Sequence, residues 1–429
     1  MKTSKLLIIL LSVLLVLSLT ACQSSEPTGG TDQVEIKFLH KWPQPEYSVY
    51  FDEVVAAFMK DNPNIKVSVE AVGDEPIKDK LRILMGTDNQ PDVFFSWSGE
   101  FATKFVRSNN ALDLTPYLDK DTEWKNSIME AGLEPFTYDG KSYGIPFRIN
   151  GKFFVYNTEM FNKLGLEKPK TWDEFMTVLE TLKQNGITPI GFGNIYPWAG
   201  CHYLTGLNQK FVAQDVRLKD YNPKTGEFTD RGYIKALEYF KSINDKGYFI
   251  EGVNSTEHNM SNQMFYGEQV AMIYVELEEF KEVEDNLPGK WDFFKLPDIP
   301  EGKGNQNFLT GAPDGFLVSA KTKHPEEAVK FLQYLTNKAN ADKLVQQLGW
   351  PSPIIGAVNE ENSPEFLVRG MKAIEEAEGM ALWLDTDIHI KISDVYLPNL
   401  QELINGTKTP EQIMSEVQKV AKEVQNEVE

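Results

Sequence analysis

The chain is poor in cysteine: its 429 residues hold two, Cys22 and Cys201. Two sulfurs cannot build a disulfide framework, and they are too few for a cysteine zinc cluster. Positive charge is also short. There are 43 Lys and Arg against 63 Asp and Glu, a formal charge of -20. So acidic a surface repels phosphate backbones, which excludes nucleic acid as a partner. It equally opposes lying flat on anionic lipid. A membrane-spanning run is missing too. The apolar stretch from Leu6 to Leu19 is about 14 residues, short of the ~20 that a helix needs to cross a bilayer. Gly-x-Ser-x-Gly, His-Glu-x-x-His and phosphate-loop motifs are all absent, so no catalytic signature points to an enzyme.

That short apolar run has its own meaning. Lys2 and Lys5 precede it and Leu19-Thr20-Ala21-Cys22 closes it, which is the pattern of a secretory signal followed by a thiol that can carry lipid. The expectation is a signal at 1–21, acyl chains such as palmitate on Cys22, and a flexible tether over 22–33 made of small polar residues. The mature protein is then extracytoplasmic and lipid-anchored to the cell membrane. Lack of disulfides and abundant Lys and Asn fit a Gram-positive surface. Cys201, left alone, reads as a small apolar residue.

About 400 mature residues exceed what one core organises, so two lobes are expected. Val34 to Leu39 alternates as a strand, Phe51 to Lys60 has helical spacing, and Ile65 to Val69 alternates again, which argues for an α/β layer. Asp79 to Met85 reads as helix and Asp92 to Trp97 as a buried strand. Gly144 to Gly151 reads as an interruption before a strand over Lys152 to Asn157. Thr171 with Glu174, and Thr409 with Gln412, form capping boxes, and Asp230 caps another helix. The Pro- and Gly-rich stretch from Leu287 to Gly315 is the candidate crossover between lobes.

Seven segments carry a resemblance: Asn62-Pro63-Asn64-Ile65-Lys66-Val67, Gln90-Pro91-Asp92-Val93-Phe94-Phe95, Gly144-Ile145-Pro146 with Val155-Tyr156-Asn157, Pro169-Lys170-Thr171-Trp172-Asp173-Glu174-Phe175, Met264 to Met272, His324 to Leu332, and Asn405 to Glu411. In this order the chain resembles the family 1 extracellular solute-binding proteins, which include the maltodextrin-binding protein. The resemblance implies a two-lobed, periplasmic-binding-protein-like (type II) α/β clamshell with several crossovers. It places one lobe at 34–147 plus 310–356 and the other at 148–309 plus 357–429. It also implies a monomer without cofactor that presents a solute, most often a sugar, to the permease subunits of an ABC importer.

A pyranose has an apolar face and a hydroxyl rim, so its site needs aromatic platforms beside planar donors and acceptors. Candidate loops hold that mixture: Trp42 and Glu46, Trp97 and Glu100, Arg148 and Asn150, Trp198 and His202, Tyr274 and Glu276, Asp314 in the return crossing, and Trp383 with Asp385. Trp97, Trp198 and Trp383 are read as loop residues, whereas Trp124, Trp172 and Trp291 are read as core. In related oligosaccharide binders an aromatic two positions before an Asp contacts the sugar, as in Trp383-Leu384-Asp385. The family often stacks an aromatic at the position of Tyr274, but Val275-Glu276 replaces its usual Gly-Trp pair.

Other readings stay open. Asp385, Asp387 and His389 would share one face of an extended segment, though Ca²⁺ or Zn²⁺ needs further ligands. Glu100 and Asp385 could be a glycosidase pair if they faced each other at ~5 to 9 Å. A clamshell of this kind also holds peptides, polyamines or ferric ion; a polyamine suits the acidic balance, whereas Tyr203 beside His202 is too little for iron. An Arg148 facing the cleft favours hydroxyls and opposes a polycation.

Overall fold

The computed structural model describes residues 33–428 apart from Asp88; the signal, Cys22 and the tether up to residue 32 lie outside the described residues. The principal strands are β1 (Val34–His40), β2 (Ile65–Ala71), β3 (Val93–Trp97), β4 (Thr137–Tyr138), β5 (Lys141–Ser142), β6 (Gly144–Asn157), β7 (Thr188–Gly191), β8 (Val270–Glu276), β9 (Trp291–Lys295), β10 (Leu309–Val318) and β11 (Met380–Ala381). β4 and β5 form a small hairpin by themselves. The main sheet runs β2-β1-β3-β10-β6-β8-β7, with β11 beside β10 and β9 beside β6.

Two strands serve both lobes. β10 pairs with β3 over Asp314 to Val318 and with β11 over Leu309 and Thr310. β6 meets β10 along Gly144 to Gly151 and then pairs with β8 and β9 over Lys152 to Asn157. The expected interruption at Gly144 to Gly151 is therefore part of one strand of 14 residues, every one of them buried. Pro146 is tolerated because the β6–β10 register shifts there. Gly315 faces Pro146 while Asp314 faces Arg148, which leaves Phe147 as an extra residue in a bulge, where a missing N–H costs no ladder bond. Glycine lets the two backbones meet: a Cβ on Gly315 would lie 2.1 Å from the Ile145 carbonyl oxygen. A third connection follows Trp350, where the Ile149 N–H donates to the Pro351 carbonyl at 3.1 Å.

Helices cover both faces of this sheet, as α/β layers require. The helix Pro45–Asp61 buries Tyr50, Phe51, Val54, Val55 and Phe58. The helix Trp172–Gln184 starts with the expected Thr171–Glu174 capping box, and Asp230 caps Arg231–Asp245. Gln412 and Thr409 exchange bonds at the start of the final helix, Pro410–Val428. Among the described residues no helix is long and apolar enough to cross a membrane.

Two local readings are corrected. Trp198 opens the helix Trp198–Phe211 instead of lying in a loop, and Ala199 to Phe211 of that helix are all buried. Leu384–Asp387 is a short helix, so Asp385, Asp387 and His389 do not project from one face of an extended segment. Among the described residues no group of three His, Cys, Asp or Glu is arranged to hold a metal.

Candidate ligand-binding cleft

A cleft of about 480 Å³ lies between the lobes where β6 and β10 cross. That size is within the range of small-molecule sites. Of the thirteen residues singled out in the sequence for ligand contact, it gathers Trp42, Trp97, Arg148, Asn150, Trp198, His202, Glu276, Asp314, Trp383 and Asp385. They come from strand ends, helix starts and the crossings, the positions where α/β sheets hold ligands.

One wall is an aromatic arc. His202 stacks on Trp383 with ring centres 4.1 Å apart, and Trp198 lies 5.3 Å from His202 and 5.0 Å from His258. Trp198 is half-buried, whereas Trp383, read as an open loop residue, is only 6% exposed because its face rests on His202. The opposite lobe offers Trp42 and Trp97, each packed edge-on against Phe95. Trp124 and Trp172 lie in the core, and Trp291 packs against Phe280 and Phe366 away from the cleft.

The cleft floor is ionic. Arg148 is 2% exposed and lies over the rings of Trp42 and Trp350, 4.8 and 4.6 Å from their centres. Its Nε donates to Asp314 Oδ1 at 3.1 Å, its Nη2 to Asp314 Oδ2, and its Nη1 to Glu278. Asn150 Nδ2 donates to the same Glu278 carboxylate at 2.8 Å. Arg148 reaches the cleft, as expected, but its donors are committed to two carboxylates. It neither serves as an open donor nor opposes a cation. The lining holds Asp74, Glu75, Glu276, Glu278, Glu279, Glu282, Asp314 and Asp385 against Lys41, Lys78 and Arg148.

Those carboxylates differ in protonation. Burial pushes Glu276 up to about 8, although Lys152 nearby opposes it. Burial also raises Asp385 and Glu282. Glu279 is half-buried and desolvation would raise it too, yet His258, at 2.7 Å, and the Glu276 N–H bring it down to about 2. Lys152 Nζ and His202 Nδ1 each lie 3.7 Å from Glu276 Oε1, and neither has a hydrogen-bond partner. Both nitrogens are sealed from solvent, so the three groups form a buried, incompletely paired cluster at the cleft.

Three sequence candidates do not line the cleft. Glu46 is exposed on the first turn of its helix, and Gln44 and Tyr47 face the cleft in its place. Glu100 is held by Arg107, seven residues along the same helix. It shares with Asp385 only a niche of about 30 Å³, room for little more than a water. Tyr274 is 4% exposed because its ring packs on Phe154 and Tyr203, 4.5 and 4.7 Å away. Lys41, Asp74, Lys78, His258 and the Glu278-Glu279-x-x-Glu282 cluster join the site without having been singled out. A Lys beside Trp42 and a carboxylate run after Glu276 were the available signals.

A two-lobed sheet joined by shared strands around an aromatic, carboxylate-lined cleft defines a clamshell binding protein. Residues 42–342 match the bacterial extracellular solute-binding proteins, and the chain belongs to that family. It is similar to the multiple sugar-binding protein of Streptococcus mutans, 25% identical over 81% of each chain. It is similar also to the arabinooligosaccharide-binding protein of Bacillus subtilis, 24% identical over 80% of this chain and 78% of that one. Among solved structures, a chitin oligosaccharide binding protein superposes with a TM-score of 0.84 at 24% identity, covering 92% of this chain and 100% of that one. That likeness shows the type II fold.

Proposed function

We propose that this protein captures a carbohydrate of two or more units and delivers it to the permease of an ABC importer, acting as a monomer tethered by lipid on Cys22. The observation that carries the reading is the arc Trp383–His202–Trp198–His258 facing Trp42 and Trp97 across a carboxylate floor. Rings supply the apolar platform and carboxylates accept from hydroxyls. The names of the sugar-binding relatives support the same reading. Ligand contacts made with both lobes favour the closed form, which the importer can then distinguish from the empty one. The lobes are assigned as 34–147 plus 310–356 and 148–309 plus 357–429. No catalytic role is proposed, since Glu100 is tied to Arg107 away from the cleft.

The test is isothermal calorimetry of soluble protein beginning at residue 32 against malto-, chito- and arabino-oligosaccharides, with spermidine and short peptides alongside. Binding of a glycan supports the reading. A cationic ligand is the second reading, favoured by eight lining carboxylates against three fixed cations; spermidine binding without any glycan would replace the first. Anchoring is tested separately: Cys22→Ala should shift the protein from the membrane fraction to the medium.

A further inference from the structure

A second cavity, about 620 Å³, lies between the lobes next to the cleft. The same two loops build both. Trp97 and Asp385 line the cleft, while Gly99 and Asp387, two residues further along each loop, line the second cavity. Two residues span about 7 Å of extended chain after Trp97 and less in the short helix that carries Asp385 and Asp387, so the two spaces approach within a few atoms of each other. What separates them is the contact of Gly99 with Thr386 and Asp387. A Cβ on Gly99 would lie 2.8 Å from Asp387 Oδ1 and 3.3 Å from the Thr386 carbonyl oxygen. The partition carries no side chain on its Gly99 half, which makes it as low as a polypeptide can make it.

The second cavity has the chemistry of a built site. Arg217 lines it at 3% exposure; its Nη2 donates to Gln214 at 2.7 Å, and its Nε has no partner. Leaving a buried charged donor unpaired is costly; Nε is sealed from solvent, so a ligand oxygen removes that cost only when the Arg217 side chain turns toward the cavity. Asp387 offers an acceptor, and Tyr138 from one lobe and Phe308 from the other offer rings. Burial pushes Asp387 up to about 7, against the pull of Arg217. Donor, acceptor and ring are the needs of a glycosyl unit.

We propose that the second cavity binds further units of the same glycan chain whose first units fill the cleft, so that the protein selects chains long enough to cross the Gly99–Asp387 partition. This rests on the carbohydrate reading above. Both cavities draw on both lobes, so a chain in both holds the lobes together at two places.

Calorimetry with chain ladders of two to six units in the malto, chito and arabino series tests it. In the series that binds, affinity should rise with length. Arg217→Met and Tyr138→Ala should each cut the longest chain's affinity about ten-fold, the worth of a hydrogen bond to a charged group or of a ring contact, and leave the dimer within about two-fold. Tyr138 is half-buried on a hairpin, so its variant folds even where Arg217→Met does not. Hydrogen exchange over 214–224 should slow with the longest chain and not with the dimer. Length-independent affinity in the wild type, or equal losses at every length, overturns the inference while leaving carbohydrate capture standing. No binding by any glycan removes both.

Discussion

Arg148 and Asp314 stand opposite each other on β6 and β10 where both strands pass between the lobes, joined by two parallel hydrogen bonds. The pair fixes the floor of the cleft and the register of the crossing at once. Removing one member of a buried, hydrogen-bonded pair costs about 3 to 5 kcal/mol. Arg148→Met should therefore lose stability on that scale in urea unfolding, with Asp314 and Glu278 left uncompensated. A loss below about 1 kcal/mol, typical of exposed ion pairs, would show that the pair is dispensable.

Trp198 and Trp383 should separate binding from folding. Trp198 is half-buried at the start of its helix, so Trp198→Ala should weaken the bound sugar by at least ~1 kcal/mol and move the ligand-free Tm little. Trp383 is stacked on His202 and buried. Trp383→Ala should lower both, with a stability loss of about 3 to 5 kcal/mol. Equal Tm values for the two variants would contradict the packing difference.

The contrast between these tryptophans shows how far the sequence could be read. Their place on the cleft lining was legible from neighbours such as Pro197, Gly200 and Asp385, although Trp198 opens a helix and does not lie in a loop. Their depth was not, because depth is set by His202, a partner some 180 residues from Trp383. Tyr274 was placed by a family habit that Val275 and Glu276 already departed from, and its ring went to the core. Capping boxes at Thr171 and Thr409 were readable because their chemistry is local. The continuity of β6 was hidden by Pro146, whose cost is absorbed by a bulge that only the partner strand reveals.

Gly99 has φ near 72° and no room for a side chain beside Asp387. Gly99→Ala combines positive-φ backbone strain of about 1 to 3 kcal/mol with a clash between lobes. It should weaken ligand affinity and enlarge the radius of gyration of the ligand-bound form in X-ray scattering. An unchanged radius with an unchanged affinity would show that the lobes do not need this contact.

The two neighbouring carboxylates should give opposite pH behaviour. Glu276 has its folded value raised from 4.5 to about 8, so the folded form holds a proton that the unfolded form releases, and stability falls as pH rises from 4.5 to 8. Glu276→Gln should gain on the wild type across that window and show no gain below it. Glu279 is lowered from 4.5 to about 2. Its contribution is complete above 4.5 and lost as pH falls toward 2, so Glu279→Gln should be least stable relative to wild type above 4.5 and converge on it in acid. Melting curves from pH 3 to 9 read both; parallel curves for the two variants would refute the assignment.

The unbroken strand β6 pairs with β10 from Gly144 to Gly151 and with β8 and β9 from Lys152 to Asn157, so it belongs to both sides of the molecule. A proteolytic cut or a gene split anywhere within it would leave each piece with an unpaired sheet edge and no template for the missing strand. The halves of this clamshell are therefore not separable modules that evolution could shuffle. They are expected to melt together, as one calorimetric transition.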